Sequence, residues 1–221
     1  MITLVLESST YEGSVALLDA AELLASRTVA MRGRDHEALM PSVAALLDAC
    51  GKAPSDLKRI VCGAGPGAFT SLRISGAIAK GLALSTGADL FAVSSLALLV
   101  ACVEPFRPGR YLAAVDAMRG EHYVQLHEIG ADAELRVIGD LGIVASDQVE
   151  ALARSMSADA IGPGRGGVAA IVPHARGSAR ITKMIASSGP ANLAAWQPGY
   201  GRLAEAQVKW EAVHGRPLET N

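Results

Sequence analysis

Two carboxylates are the residues of this chain best placed for chemistry. Glu7 closes the strand-like run Ile2-Thr3-Leu4-Val5-Leu6, and Asp116 closes a second such run, Tyr111–Val115. Carboxylates facing one cleft can hold Mg²⁺ or act as an acid–base pair. A simpler arrangement, and the favoured one, has each carboxylate hydrogen-bonded within its own turn. Only Arg119 stands near either turn as a grip for phosphate. Glycine turns complete the candidate set: Gly63, Gly65, Pro66 and Gly67 after one strand, and Gly162-Pro163-Gly164 after another. A glycine turn that opens a helix can seat an anion on free amides. The first turn lacks the lysine of a Walker loop, and its glycines do not follow the dinucleotide-binding spacing. It therefore reads first as a structural joint, with Glu7, Asp116, Gly162 and Gly164 as the candidate nucleotide-binding residues.

Other catalytic arrangements are missing from the sequence. His36, His122, His127, His174 and His214 contain no metal-binding helical pair, and His122 and His127 fall on opposite faces of a presumed strand. Each histidine is expected at the surface or as a cap. No Gly-x-Ser-x-Gly elbow seats a hydrolase serine. The three cysteines, Cys50, Cys62 and Cys102, lie in apolar segments without Cys-x-x-Cys spacing, as expected of buried free thiols in a reducing compartment.

The elements that must position these groups follow from the pattern. Ile2–Glu7, Ser14–Asp19 and Leu23–Ala30 read as strands, followed by a helix over His36–Cys50 that Asp35 caps and Pro41 should bend. Ile60–Cys62 is a buried strand leading into the glycine turn, and Thr70 or Ser71 is placed to cap the helix that runs to Thr86. That helix carries small residues in two lines, Ser75-Ala79-Ala83 and Ala77-Gly81, which allow another backbone to approach. Leu90–Val93 is a strand, and Ser94 or Ser95 caps a buried helix over Leu96–Val103. Pro105–Gly109 reads as a linker.

Beyond the linker the order begins again. Tyr111–Asp116, His122–Ile129 and Glu134–Gly139 read as strands, Ser146 caps a helix over Asp147–Met156, and Asp159–Ile161 leads to the second Gly-Pro-Gly. The repetition predicts a duplicated α/β unit, with halves at residues 1–104 and 105–221. Further on, Ser178–Ser187 and Leu203–Val213 read as helical, with Pro198–Arg202 extended.

Composition limits the function classes. The chain has 221 residues, 50% hydrophobic and 19% charged, with a net charge of −2. The basic residues are scattered, which argues against unaided binding to nucleic acid. The longest apolar run, Leu96 to Val103, is far below the roughly 20 residues of a membrane span. With no leader-like start, the expected location is the cytoplasm.

Three stretches, Glu7-Ser-Ser-Thr, Gly65-Pro-Gly-Ala-Phe-Thr-Ser-Leu-Arg-Ile74 and Asp116-Ala-Met-Arg-Gly-Glu121, carry a family likeness. The chain resembles the TsaB (YeaZ) family, accessory proteins of tRNA threonylcarbamoyladenosine biosynthesis. Ala79-Lys-Gly-Leu-Ala83, His36-Glu-Ala-Leu-Met-Pro41, Val93-Ser-Ser-Leu96 and Pro198-Gly-Tyr-Gly-Arg202 extend the match to nearly the whole length. Ala68, Ser71 and Ser75 depart from the family's signature, and Glu7 stands where the family usually has Asp.

The resemblance implies a duplicated actin-like fold (ASKHA, ribonuclease H-like). It implies a non-catalytic scaffold that pairs with a TsaD subunit and a TsaE ATPase, reaches tRNA only through that complex, and dimerises when alone. No cofactor is expected in the isolated chain, with ATP or ADP placed within the complex. The residues expected at the partner interface are His36, Leu39, Met40 and Val43 on the first helix and Arg73, Ala77 and Lys80 on the second. The alternative is an ATP-dependent phosphotransferase or glycoprotease-like enzyme of the same fold.

Overall fold

The computed structural model describes residues 1–31, 38–164, 171–201 and 213–215. Calls on His36, Asp35 and Arg202, and on most of the expected helix at Leu203–Val213, lie outside these residues. The first half begins with β1 (Ile2–Glu7), β2 (Glu12–Asp19) and β3 (Glu22–Ala30), then α1 (Leu39–Ala49). A 3-10 turn at Pro54–Asp56 leads to β4 (Leu57–Gly63), α2 (Phe69–Thr86), β5 (Asp89–Val93) and α3 (Ser95–Ala101). The second half contains β6 (Gly109–Asp116), β7 (Glu121–Ile129), β8 (Leu135–Val137), β9 (Gly142–Ala145), α4 (Val149–Ser155) and β10 (Asp159–Ile161). A 3-10 turn at Ala175–Arg180 and α5 (Thr182–Ser187) follow.

The first sheet has the order β3-β2-β1-β4-β5 and the second β10-β6-β7-β8, with β9 also paired to β7. In both, the opening strands pair antiparallel, and the strand after the helix adds parallel to the first one. β1 and β6 thus hold equivalent places, as do β4 and β10. This repeated order is the duplicated actin-like, ribonuclease H-like fold.

Alternation along β1 sorts its side chains between two cores. Ile2, Leu4 and Leu6 join Leu17, Ile60, Leu90 and residues of α1 and α2 in an outer core. Val5 joins Val61, Phe91 and residues 96–101 of α3 in a central core that also takes Tyr111, Ala113 and Val115 from the second sheet. A third core packs Leu112, Ala114 and Val124 against Val149 and Ala153 of α4. The layers therefore run α1 and α2, first sheet, α3, second sheet, α4. Among the described residues, no helix is long and apolar enough to cross a membrane.

Several local expectations are corrected. α2 starts at Phe69, one residue before Thr70, with Ala68 as N-cap and no side-chain cap; the Ala68 amide instead donates to the Ser9 carbonyl at 2.7 Å. Ser146 does not cap α4, whose N-cap is Gln148; its hydroxyl is 2.9 Å from His122 Nδ1. Pro41 falls in the first turn of α1, where an amide has no intrahelical acceptor and proline removes nothing. Ser94 does cap α3, accepting from the Leu96 amide. The expected strand at Glu134–Gly139 is shorter, and β9 was not anticipated.

His127 is neither a surface nor a capping residue. It is 0% exposed, its Nδ1 lies 3.1 Å from the Gln125 carbonyl, and its Nε2 has no partner among the described residues. Burial pushes its pKa down to about 4. His174 caps the 3-10 turn by accepting from the Arg176 amide. Its pKa is also pushed down to about 4, by burial and then by the Arg176 charge.

Two predictions follow from this packing. Between the unfolded pKa of 6.5 and the folded value of about 4, the unfolded chain binds more protons at His127. Stability is therefore lost as pH falls through that window, by up to about 3 kcal/mol. His127→Phe should flatten this slope in denaturant melts at pH 7, 5.5 and 4; an unchanged slope would refute the assignment. A Cβ on Gly67, at φ +156°, would overlap the Ser9 carbonyl. Gly67→Ala should cost roughly 1–3 kcal/mol, and a melting temperature equal to wild type would show that the turn can retreat.

Candidate functional site

The strands of each half deliver their candidate residues to one sheet end. Leu6 pairs with Cys62, so Glu7 and the Gly63–Gly67 turn share an end of the first sheet. Ile161 pairs with Ala113, so Asp116 and Gly162–Gly164 share the corresponding end of the second.

Glu7 is 0% exposed. Its Oε1 accepts from the Ser9 amide at 2.6 Å, and its Oε2 accepts from Ser95 Oγ at 2.8 Å. Ser95 Oγ in turn accepts from the Gly65 amide at 3.1 Å, so the carboxylate, the start of α3 and the glycine turn form one network. Gly63 has to lack a side chain, because a Cβ there would overlap Glu7 Oε2. Burial raises the Glu7 pKa, against the hydrogen bonds from Ser9 and Ser95 that favour the charged form. Above pH 4.5 the unfolded carboxyl ionises before the folded one, so Glu7 withdraws stability as pH rises through that interval. Beside it, Ser8 Oγ lies 2.9 Å from the Ser71 carbonyl and 2.6 Å from Ser75 Oγ, tying β1 to α2.

Asp116 has a different setting. It is exposed, and its Oδ1 accepts from the Met118 amide at 2.7 Å in its own turn. Gly162 is packed against the Ala114 carbonyl, while among the described residues nothing lies within 4 Å of where a Cβ on Gly164 would stand. Glu7 has both oxygens engaged below the surface, and its turn is covered by the chain itself.

That cover is a strap at residues 190–201, which the sequence pattern did not reveal. The Ala191 amide donates to the Leu90 carbonyl at 2.7 Å, and the Gly199 amide to the Ala64 carbonyl at 2.7 Å. The Gly199 carbonyl fills the space beside Gly65, and Gly201, at φ +70°, is wedged between Pro66 and the Tyr123 ring. Tyr123 Oη donates to the Tyr200 carbonyl at 3.0 Å, so the strap also reaches the second sheet.

The residues expected to face a partner divide by burial. Leu39 and Val43 are 0% exposed within the outer core, which removes them from any surface. Met40 is 43% exposed. Arg73 and Ala77 are exposed, whereas Lys80 is half-buried and donates from Nζ to the Trp196 carbonyl at 3.1 Å. Of the two lines of small residues on α2, Ser75-Ala79-Ala83 is buried and Ala77-Gly81 is exposed. Leu84, 72% exposed, extends the open line.

Reactive side chains are not gathered elsewhere among the described residues. No group of three His, Cys, Asp or Glu residues there is placed to hold a metal ion. Burial pushes the Cys62 thiol up to about 12 and raises that of Cys102, leaving both unreactive.

Known proteins share this arrangement. A family model described as TsaD, tRNA N6-adenosine threonylcarbamoyltransferase, matches residues 30–170. A Bacillus subtilis protein named tRNA threonylcarbamoyladenosine biosynthesis protein TsaB is 29% identical over 95% of this chain and 98% of its own length. The Escherichia coli protein of the same name is 33% identical over 56% of this chain and 53% of its own. Among solved structures, a Pseudomonas aeruginosa protein described as similar to peptidase YeaZ superposes with a TM-score of 0.77 at 29% identity, covering 91% of this chain and 99% of that one. YeaZ from the same organism gives 0.73 at 26% identity, covering 90% and 99%. The chain belongs to the family that the TsaD model describes, and within it to the TsaB (YeaZ) group.

Proposed function

We propose that this chain is a docking subunit in tRNA threonylcarbamoyladenosine biosynthesis, without bond-making chemistry of its own. It pairs with a TsaD-type subunit through the outer face of α2, and a TsaE-type ATPase joins the pair in the cytoplasm. The observation that carries the reading is the open line on α2. Arg73, Ala77, Gly81 and Leu84 follow helical spacing on one exposed face. Small residues there let a partner helix approach closely, and Leu84 gains most from being covered.

Three further points support it. The TsaB-named relatives carry the pathway in their names. The glycine turn of the first half is occupied by the chain's own strap, which gives it a structural task. A net charge of −2 with scattered basic residues suits a protein that meets tRNA only through the complex. Without the TsaD-type subunit, the same face pairs two copies of the chain. Any ATP or ADP held by the complex is bound mainly by its other subunits.

Ala77 is the position that tests this reading, because the buried Ala79 would report on folding instead. Ala77→Glu should weaken co-elution with the TsaD-type subunit at least about 10-fold, since an interfacial charge is desolvated without a partner. Its melting temperature should stay near wild type. Unchanged association would overturn the placement, and turnover of ATP by the purified chain alone would overturn the non-catalytic role.

A further inference from the structure

The strap does more than cover the glycine turn: it touches the docking helix along one side. Pro198 and Trp196 fill the space above Gly76, and Lys80 is tied to the Trp196 carbonyl. At the start of the helix the Tyr200 ring packs on Phe69, with centroids 4.5 Å apart and planes tilted by 49°. The Arg73 guanidinium lies over the same Phe69 ring, 5.3 Å from its centroid. This is within the range of a cation–π contact. Tyr200, Phe69 and Arg73 therefore form a continuous stack from the strap to the open face of α2.

Arg73 is exposed and forms no salt bridge among the described residues. Its helix carries two basic residues, Arg73 and Lys80, and no acidic one. Lys80 is already engaged, so Arg73 is the remaining charge of that helix. A guanidinium drawn over a ring loses side-chain freedom while keeping its outer N–H groups available. It is thereby prepared for two parallel bonds to one carboxylate.

We propose that Arg73 receives an acidic side chain of the TsaD-type subunit, and that Tyr200 is the positioning residue that holds Phe69 and hence Arg73 in place. The proposal rests on the docking reading above and names the partner's chemistry at one point of it. The C-terminal strap is then part of the docking apparatus, acting through the stack without meeting the partner's carboxylate.

The test is a double-mutant cycle on the affinity of the full-length chain for the purified TsaD-type subunit, at 50 and 300 mM salt. Arg73→Ala should weaken binding about 10-fold at low salt and flatten its salt dependence, as loss of an interfacial charge pair does. Arg73→Lys should recover only part of this, because lysine keeps the charge but not the planar fork. Tyr200→Ala should weaken binding about 3-fold or more in the Arg73 background and not at all in Arg73→Ala. Additive losses would overturn the positioning role of Tyr200. An unchanged affinity in Arg73→Ala would overturn the carboxylate contact. If Ala77→Glu also binds as wild type, the docking face itself is misplaced; if it alone disrupts binding, only the stack is wrong. Melting temperatures of all variants separate these outcomes from loss of fold.

Discussion

Helix α3 is buried on every side, and the placement of the two halves depends on it. Each of its residues, Ser95 through Ala101, lies in the core. A short helix with no polar face has to be covered all round, so it packs on the second sheet and the 3-10 turn at Ala175–Arg180 and shares one core with Val5, Val61 and Phe91 of the first sheet. At about 25 cal/mol per Å² of apolar area, separating the sheets from this helix would be far costlier than moving any surface element. The start of α3 then transmits the constraint, because Ser95 joins Glu7 to the Gly65 amide. One helix sets both the spacing of the sheets and the position of the turn from which α2 departs.

The faces of α2 follow from that position. Ser75, Ala79 and Leu82 meet the first sheet, Leu72 meets the glycine turn at Gly65, Phe69, Gly76 and Lys80 meet the strap, and the remaining line faces outward. Small residues on the sheet side bring the helix close to β4. Small residues on the outer side have no comparable neighbour among the described residues. The same residue type thus stands in two settings on one helix, and burial tells them apart.

Spacing along the chain revealed the strands and their repetition, because alternation and glycine turns are local signals. It could not reveal how backbone groups are satisfied from afar. Thr70 and Ser71 have the side chains of caps for α2, but the Ser9 carbonyl takes the Ala68 amide, and Ser71 contributes its backbone carbonyl as acceptor for Ser8 Oγ. Leu39, Met40 and Val43 were equally apolar in the sequence, yet only Met40 reaches the surface. A helical stripe identifies a buried face without saying whether sheet or partner covers it. The strap was illegible for another reason: residues 190–201 have no periodicity and are held by backbone bonds and by gaps at Gly65 and Gly76. His127 was misjudged because a polar residue in a strand was assigned to the surface, whereas its place opposite Tyr111 puts it at the central core.

The two halves share an architecture but have diverged at equivalent sheet ends, and the lengths of two carboxylic acids explain part of the difference. Glu7 has the extra methylene, and its carboxylate reaches both the Ser9 amide and the Ser95 hydroxyl beneath the turn. It became an internal strut, with Gly63 kept bare to make room. Asp116 is shorter and spends an oxygen on the Met118 amide two residues along, remaining at the surface. The first half encloses its glycine turn under the strap, whereas among the described residues nothing packs where a Cβ on Gly164 would stand. The two equivalent ends therefore hold their carboxylic acids in different settings, one buried and one exposed. The first half instead ties that end to α2 and α3 through Ser8, Glu7 and Ser95, so the start of α2 is fixed by buried hydrogen bonds to the sheet.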